Sequence, residues 1–188
     1  SITQYIIEDY YSLFSVVFQD IYLLPVSIAE FVSSSENKID RERVMAVIEQ
    51  AGLAEKINSL PNGIDSRLMK GVFDDSIEMS GGEKQKLMLA RALYKDAPVI
   101  VLDEPTAALD PIAENELYLK YNDLTKNKTS VYISHRLSST RFCDRIIYLE
   151  NGEIIEFGTY DELMKLGGKY AHMFDLQSHY YRRNLKDE

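Results

Sequence analysis

The sequence predicts an α/β domain with a parallel sheet and an inserted helical block. Three observations carry this prediction. Residues 14–18 form a short β-branched and aromatic run that is typical of a strand. Helical patterns dominate from about 25 to 95, and strand and helix patterns then alternate from Pro98 onwards. Such alternation favours a parallel sheet.

Caps and turns divide the first half of the chain. Asp40 is suited to cap a helix in which apolar residues recur at helical spacing, and Gly52 is suited to close it. In order, the predicted elements are a helical turn or loop at 1–13, the strand at 14–18, a polar linker at 33–37, the capped helix, a turn at 61–63, an irregular acidic stretch at 64–79 and a helix from about 83 to 95.

Strands and helices alternate in the second half. Pro111 lies where a helix-starting proline is expected, and Asn151-Gly152 is a strong signal for a two-residue hairpin. In order, the predicted elements are a strand at 99–103, a helix capped by Asp110 that runs to about 124, strands at 129–134, 145–149 and 154–157, a helix that begins with the capping box Thr159 and Glu162, and a terminal helix from Lys169.

Composition and charge narrow the class of protein. The chain has 188 residues, a hydrophobic fraction of 45% and a formal net charge of −9, which is typical of one acidic globular domain. The charge argues against a general nucleic-acid or anionic-membrane binder, and no apolar run approaches the roughly 18 residues that span a bilayer. The single cysteine, Cys143, excludes an internal disulfide, fits a reducing compartment and is interpreted as a small core residue. Ser1 is not a natural start, so we expect the chain to be excised from a longer one.

Two adjacent carboxylates follow a buried apolar strand. The strand at 99–103 ends in Asp103, and Glu104 and Pro105 come directly after it. Ligands bind at the carboxyl ends of strands in open α/β sheets. There Asp103 is suited to hold a hydrated Mg²⁺ ion, and Glu104 is suited to orient and deprotonate an attacking water. Taken alone, the tripeptide is equally compatible with a solvated strand end.

A glycine-containing turn opens the helix that precedes this strand. Ser80 supplies a hydroxyl donor, and Gly81 and Gly82 allow backbone amides to approach an anion at the positive end of the helix dipole. Serine and glycine also cap helices without binding anything, so these three residues indicate an anion site only in combination with their neighbours.

Gln19 and His135 are further polar candidates at strand ends. The Gln19 amide can touch Mg²⁺ or a water, and the His135 ring can donate to a phosphate. Taken alone, Gln19 is interpreted as a polar loop residue and His135 as a structural residue.

His172 and His179 have no neighbours that complete a metal set and are interpreted as structural. The cluster of Tyr5, Tyr10 and Tyr11 suggests base stacking, but we expect these rings to pack or to contact a partner.

In this order, the motifs resemble those of an ATP-binding-cassette (ABC) ATPase. They are the Q-loop at Gln19, the signature motif at Ser80–Gln85, the Walker B strand at Val99–Glu104, the D-loop at 107–110, the H-loop around His135, and a segment at 152–159 that is similar to the one after the H-loop in exporter-type subunits. The resemblance covers nearly the whole chain.

The resemblance implies a P-loop NTPase-like parallel sheet core, incomplete because its front strands are missing, with an inserted ABC α-helical subdomain. The implied boundaries are a Q-loop strand region at 1–24, the helical subdomain with the signature at 25–95, and a core with Walker B, D-loop, H-loop and C-terminal helices at 96–188.

The resemblance also implies ATP and Mg²⁺ as ligands. In the family, ATP is sandwiched between the Walker A site of one subunit and the signature of its partner. The implied roles are Mg²⁺ binding by Asp103 and Gln19, hydrolysis by Glu104, His135 and Gln19, nucleotide contact by Ser80, Gly81, Gly82 and Glu83, and communication across the dimer interface by Asp110.

The sequence contains no G-x-x-x-x-G-K-[ST] phosphate-binding loop. Its nearest imitation, at 167–170, has Leu163 in place of the first glycine and Tyr170 in place of the Mg²⁺-binding hydroxyl. We therefore expect the isolated chain to bind ATP very poorly and to hydrolyse none. The missing front strands should also expose a sheet edge and apolar helix faces, so we expect the fragment to oligomerise or exchange strands.

The leading hypothesis is the ATP-hydrolysing subunit of an ABC exporter at the cytoplasmic face of the cell membrane. Its expected partners are a membrane-spanning domain and a second nucleotide-binding domain, with no nucleic acid. Four departures leave the subfamily open: Glu83 for the usual glutamine, Met79 for leucine, the unusual residues 71–76, and Tyr160 for histidine.

Two alternatives remain. The first is an SMC-like ABC head lobe, in which S-G-G-E is common. The residues Asp103–Thr106 and the absence of coiled-coil heptads oppose it. The second is a non-catalytic module that supplies a signature surface to a partner, and an intact Glu104 argues mildly against that function.

Overall fold

The computed structural model describes the backbone of residues 6–104 and 111–184. The chain divides into two compact units, Ser1–Ile133 and Ser134–Glu188, called here the first and second units. No helix among the described residues is long and apolar enough to cross a membrane.

The first unit contains a parallel sheet and a group of helices. Its elements are α1 (Ile7–Ser12), β1 (Phe14–Val17), α2 (Ile28–Ser33), α3 (Arg41–Ala51), α4 (Ala54–Asn58), a 3-10 turn (Gly63–Asp65), α5 (Gly81–Lys95), β2 (Val99–Asp103), α6 (Pro111–Thr125) and β3 (Thr129–Ile133). These bounds confirm the predicted strands at 14–18, 99–103 and 129–134 to within one residue at each end.

The three strands of the first unit lie in the order β1-β2-β3, and both ladders are parallel. In the register, Val17 lies opposite Leu102, and Asp103 lies opposite Ile133. The carboxyl ends of all three strands therefore meet at one edge of the sheet. The described part of β3 exposes Val131 and Ile133, each at nearly half of its surface.

Helices α2, α3 and α5 pack together and form the helical part of the first unit. Asp40 caps α3 by accepting from the Arg43 N–H at 3.0 Å, and Gly52 closes the helix in the left-handed region with φ of 76°. Both predicted signals of this helix are confirmed. The buried residues of these helices and of the sheet share one apolar cluster.

Helix α5 begins at Gly81, two residues before the predicted start. The prediction treated both glycines as a loop ahead of the helix. In the structure Ser80 is the N-cap, so the glycines form the first turn and place their N–H groups at the helix end. At the other end, the buried Ser15 hydroxyl of β1 donates to the Ala92 carbonyl at 3.0 Å and accepts from the Ala97 N–H at 3.4 Å.

The second unit consists of a hairpin and two helices. Its elements are a 3-10 helix (Leu137–Phe142), β4 (Ile146–Glu150), β5 (Glu153–Gly158), α7 (Tyr160–Leu166) and α8 (Lys169–Asn184). Asn151 and Gly152 join β4 and β5, and both have positive φ as a primed hairpin turn requires. The capping box of Thr159 and Glu162 starts α7.

A small apolar core holds the second unit together. It contains Ile146, Leu163, Tyr170 and Phe174. Cys143 packs against this core and is half-buried, and burial raises the pKa of its thiol. The thiol is therefore mostly protonated at neutral pH, which agrees with its interpretation as a packing residue.

Tyr121 of α6 is fully buried, and its hydroxyl has no hydrogen-bond partner among the described residues. We expect Tyr121→Phe to raise the free energy of unfolding by about 1 kcal/mol, because it removes a buried donor that is left unsatisfied. Urea unfolding of the two proteins measures the difference.

Tyr170→Phe is the matched control for this substitution. Tyr170 is equally buried, but its hydroxyl bonds the Thr140 hydroxyl at 2.5 Å. The control should lower the free energy of unfolding by about 1 kcal/mol, since a formed hydrogen bond is lost. A loss of stability in Tyr121→Phe equal to that of the control would contradict the prediction.

Candidate functional site

The parallel pairing of β1 with β2 brings Gln19 to Glu104. Gln19 lies two residues beyond the end of β1, and Glu104 lies one residue beyond the end of β2. The Gln19 Nε2 donates to Glu104 Oε2 at 2.8 Å, across 85 residues of sequence. Two of the predicted site residues are thus in direct contact, in the position where open α/β sheets bind ligands.

Glu104 has a backbone conformation that is rare for a non-glycine residue. Its φ is 43°, in the left-handed region, and its N–H donates to the Ile133 carbonyl of β3 at 2.9 Å. Such a conformation costs on the order of 1–3 kcal/mol and concentrates at functional sites. Here it turns the chain sharply at the strand end, directly after Asp103.

Asp103 and Gln19 offer the oxygen atoms that a magnesium ion prefers. Asp103 is the last residue of β2 and is half-buried. The Gln19 amide nitrogen faces Glu104, so its amide oxygen is the atom suited to a cation. Among the described residues no group of three or more histidine, cysteine or acidic side chains forms a metal cluster. Two protein ligands still fit Mg²⁺, which keeps several waters and uses substrate phosphates.

The N-terminus of α5 is held by a reciprocal cap. The Ser80 Oγ accepts from the Glu83 N–H at 3.3 Å, and Glu83 Oε2 accepts from the Ser80 N–H at 2.7 Å. The Ser80 oxygen is the acceptor, so its own proton can still be donated to an anion. The N–H groups of Gly81 and Gly82 lie in the same first turn.

Lys56 is a residue of this site that the sequence did not reveal. Its Nζ lies 3.3 Å from Glu83 Oε1, so α4 carries the charge that balances the glutamate of α5. Burial raises the pKa of Glu83, but the hydrogen bonds from Ser80 and Lys56 outweigh burial and hold the pKa below its usual range. Glu83 is therefore ionised at neutral pH.

His135 belongs to the second unit and is exposed. It lies in a turn between β3 and the 3-10 helix, and the Gln177 amide of α8 bonds the backbone on both sides of Arg136. No motif in the sequence indicates Gln177, because this residue lies more than forty positions from His135, in a helix without a recognisable pattern.

Two other sequence predictions have different outcomes. Asp110 and the predicted D-loop at 107–110 lie outside the described residues. The glycine-lysine string at 167–170 spans the junction of α7 and α8: Gly167 closes α7, and α8 begins at Lys169. There the Glu156 carboxylate accepts from the N–H groups of Lys169 and Tyr170, and the Lys169 amine pairs with Glu150. These N–H groups already hold a carboxylate of the same chain.

The family model described as "ABC transporter" matches residues 1–107, more than half of the chain. The chain belongs to the ABC transporter family. The predicted resemblance to an exporter-type ABC subunit and the predicted α/β fold are both confirmed.

Relatives and a solved structure agree with this family. An "ATP-dependent lipid A-core flippase" of Burkholderia pseudomallei (strain 1710b) is 38% identical over 94% of this chain and 29% of its own length. One of the same name from Polaromonas sp. is 42% identical over 87% of this chain and 27% of its own. The chain spans less than a third of the length of these ABC relatives.

One similar solved structure is that of a bacterial Atm1-family ABC exporter with ATP bound. It matches with a TM-score of 0.77 and 30% identity, over 89% of this chain and 29% of that chain.

The lowered pKa of Glu83 predicts how stability depends on pH. A carboxylate whose pKa is depressed by folding stabilises the fold above its unfolded pKa, and this contribution is lost as pH falls through the folded pKa. We therefore expect the wild type to have a higher free energy of unfolding than Glu83→Gln at pH 7. This difference should shrink as the pH falls below 4.5, the ordinary pKa of a glutamate.

Denaturant unfolding from pH 7 to pH 3 measures this difference. Glu49→Gln removes an exposed carboxylate of α3 and is the matched control. A difference between wild type and Glu83→Gln that grows as the pH falls is incompatible with an ionised Glu83 in the fold.

Proposed function

We propose that this chain contributes the Walker B strand and the signature helix of an ATP-hydrolysing ABC exporter. The observation that carries the proposal is the hydrogen bond of 2.8 Å between Gln19 and Glu104, directly beside Asp103. Through this bond, the candidate base Glu104 and the candidate Mg²⁺ ligands Asp103 and Gln19 lie together at the carboxyl edge of a parallel sheet.

Each residue of this group has a distinct task in the proposed reaction. Glu104 orients the attacking water and accepts its proton, because its carboxylate is fixed by the backbone turn and by Gln19. Asp103 and the Gln19 amide oxygen hold Mg²⁺. When bound at these two side chains, the ion would supply positive charge against the phosphates of the nucleotide. A phosphate-binding loop from another segment or subunit completes the cradle.

The cap of α5 is the proposed contact for ATP that is held by a second nucleotide-binding domain. The Ser80 hydroxyl and the N–H groups of Gly81 and Gly82 are donors at the N-terminus of α5, where the helix dipole favours an anion. The Glu83 carboxylate would repel a phosphate, and the Lys56 charge offsets that repulsion. Asp110 is proposed to communicate between the two domains, and His135 to donate to the γ-phosphate.

The proposed setting is the cytoplasmic face of a membrane, next to a membrane-spanning domain that carries out export. The names of the relatives and of the structural neighbour support export over import, and transport over an SMC-like head. Within this setting we retain 1–24, 25–95 and 96–188 as the proposed Q-loop, helical and core regions.

Glu104→Gln in the full-length protein tests the proposed base. We expect ATP turnover to fall by about 10²- to 10⁴-fold, the usual contribution of a general base, while MgATP binding is retained. Steady-state ATPase assays and calorimetry give the two quantities.

Two controls accompany this test. Glu49→Gln, an exposed glutamate of α3, should keep wild-type turnover. Without a phosphate-binding loop, the 188-residue chain should bind MgATP weakly. The proposal is wrong if Glu104→Gln hydrolyses ATP at the wild-type rate.

A further inference from the structure

The Ser134 side chain stabilises the turn that carries His135. The Ser134 Oγ accepts from the Arg136 N–H at 3.0 Å and donates to the Arg136 carbonyl at 3.2 Å. Both backbone groups of the residue after His135 are therefore engaged locally. The adjoining groups, the His135 carbonyl and the Leu137 N–H, need a partner from elsewhere.

The Gln177 side chain of α8 supplies both of these partners. Its Oε1 accepts from the Leu137 N–H at 2.9 Å, and its Nε2 donates to the His135 carbonyl at 2.7 Å. A primary amide has one acceptor and one donor group side by side, a combination that only glutamine and asparagine side chains offer. The two bonds lie on either side of Arg136 in the chain, and together they restrict the backbone around His135.

Packing of α8 in the core of the second unit holds this amide in place. Tyr170, Phe174 and Gln177 follow the spacing of one helix face, and the first two are buried in the core of the second unit. The Tyr170 hydroxyl also bonds Thr140 in the 3-10 helix that begins at Leu137. The same face of α8 therefore contacts the start and the middle of the segment that follows His135.

We propose that Gln177 is a positioning residue for His135. It contacts no substrate. It acts by holding the backbone from which the His135 ring reaches the γ-phosphate, and so the proposal rests on the proposed function of His135. A ring that shifts by a fraction of an ångström loses its donation in the transition state more than in the ground state, because only the former demands close alignment.

Gln177→Leu in the full-length exporter removes both bonds and keeps a side chain of similar size. We expect kcat for ATP to fall on the order of tenfold, below the roughly 10²-fold that a 1 Å misplacement can cost. The KM for ATP should stay within about twofold, because the lost interaction belongs to the transition state. A merely structural role would not separate kcat from KM in this way.

Two further variants make the comparison specific. Gln177→Glu keeps the acceptor for the Leu137 N–H but replaces the donor to the His135 carbonyl with a second acceptor, so its kcat should fall at least as much as that of Gln177→Leu. Because Glu is nearly isosteric with Gln, this variant also serves if Gln177→Leu does not fold. Gln50→Leu makes the same substitution at an exposed glutamine of α3 and should keep wild-type kcat.

A double-mutant cycle with His135→Ala decides how Gln177 acts. If Gln177 works through His135, Gln177→Leu should lower kcat in the wild-type background and leave it unchanged in the His135→Ala background. An equal loss in both backgrounds overturns the inference, as does an unchanged kcat in both Gln177 variants while His135→Ala is impaired. If His135→Ala itself keeps wild-type kcat, the proposed role of His135 fails, and the inference fails with it.

Discussion

The parallel register between β1 and β2 is the constraint on which the candidate site depends. Opposite residues in this ladder fix how far each strand extends, so the chain beyond Val17 and the chain beyond Asp103 emerge side by side. Gln19 and Glu104 meet for this reason, despite the 85 residues between them. A shift of one residue in this register would offset the two strand ends by about 3.3 Å, more than the length of the hydrogen bond that joins Gln19 to Glu104.

The elements that could be predicted from the sequence rest on local signals. The cap at Asp40, the capping box at Thr159 and the Asn151-Gly152 turn each depend on residues within three or four positions, and all three are present in the structure. The start of α5 was placed too late because glycine disfavours helices on average, whereas the Ser80 cap outweighs that preference here.

The contacts that the sequence could not predict join distant residues without a motif. Gln177 meets His135 across 42 residues, and Ser15 meets Ala92 across 77. Lys56 is another example, since one lysine in a short surface helix looks like any other solvated charge. Only the packing of α4 beside the start of α5 reveals it as the partner of Glu83. Site residues at a strand end or a helix cap could therefore be predicted from the sequence. The residues that hold them in place, such as Gln177 and Lys56, could not.

The buried Ser15 hydroxyl has a mechanical consequence for the signature helix. It ties the last turn of α5 to β1, and Lys128 reinforces that end through Asp96, the residue that closes the helix. The opposite end of α5 is tied to the helical part of the unit through Lys56. Sliding the helix along the sheet would break buried hydrogen bonds, whereas tilting about Ala92 would not. Any movement of Ser80 relative to the sheet is therefore expected to be a swing about a fixed hinge, with the largest displacement at the Ser80 end of α5.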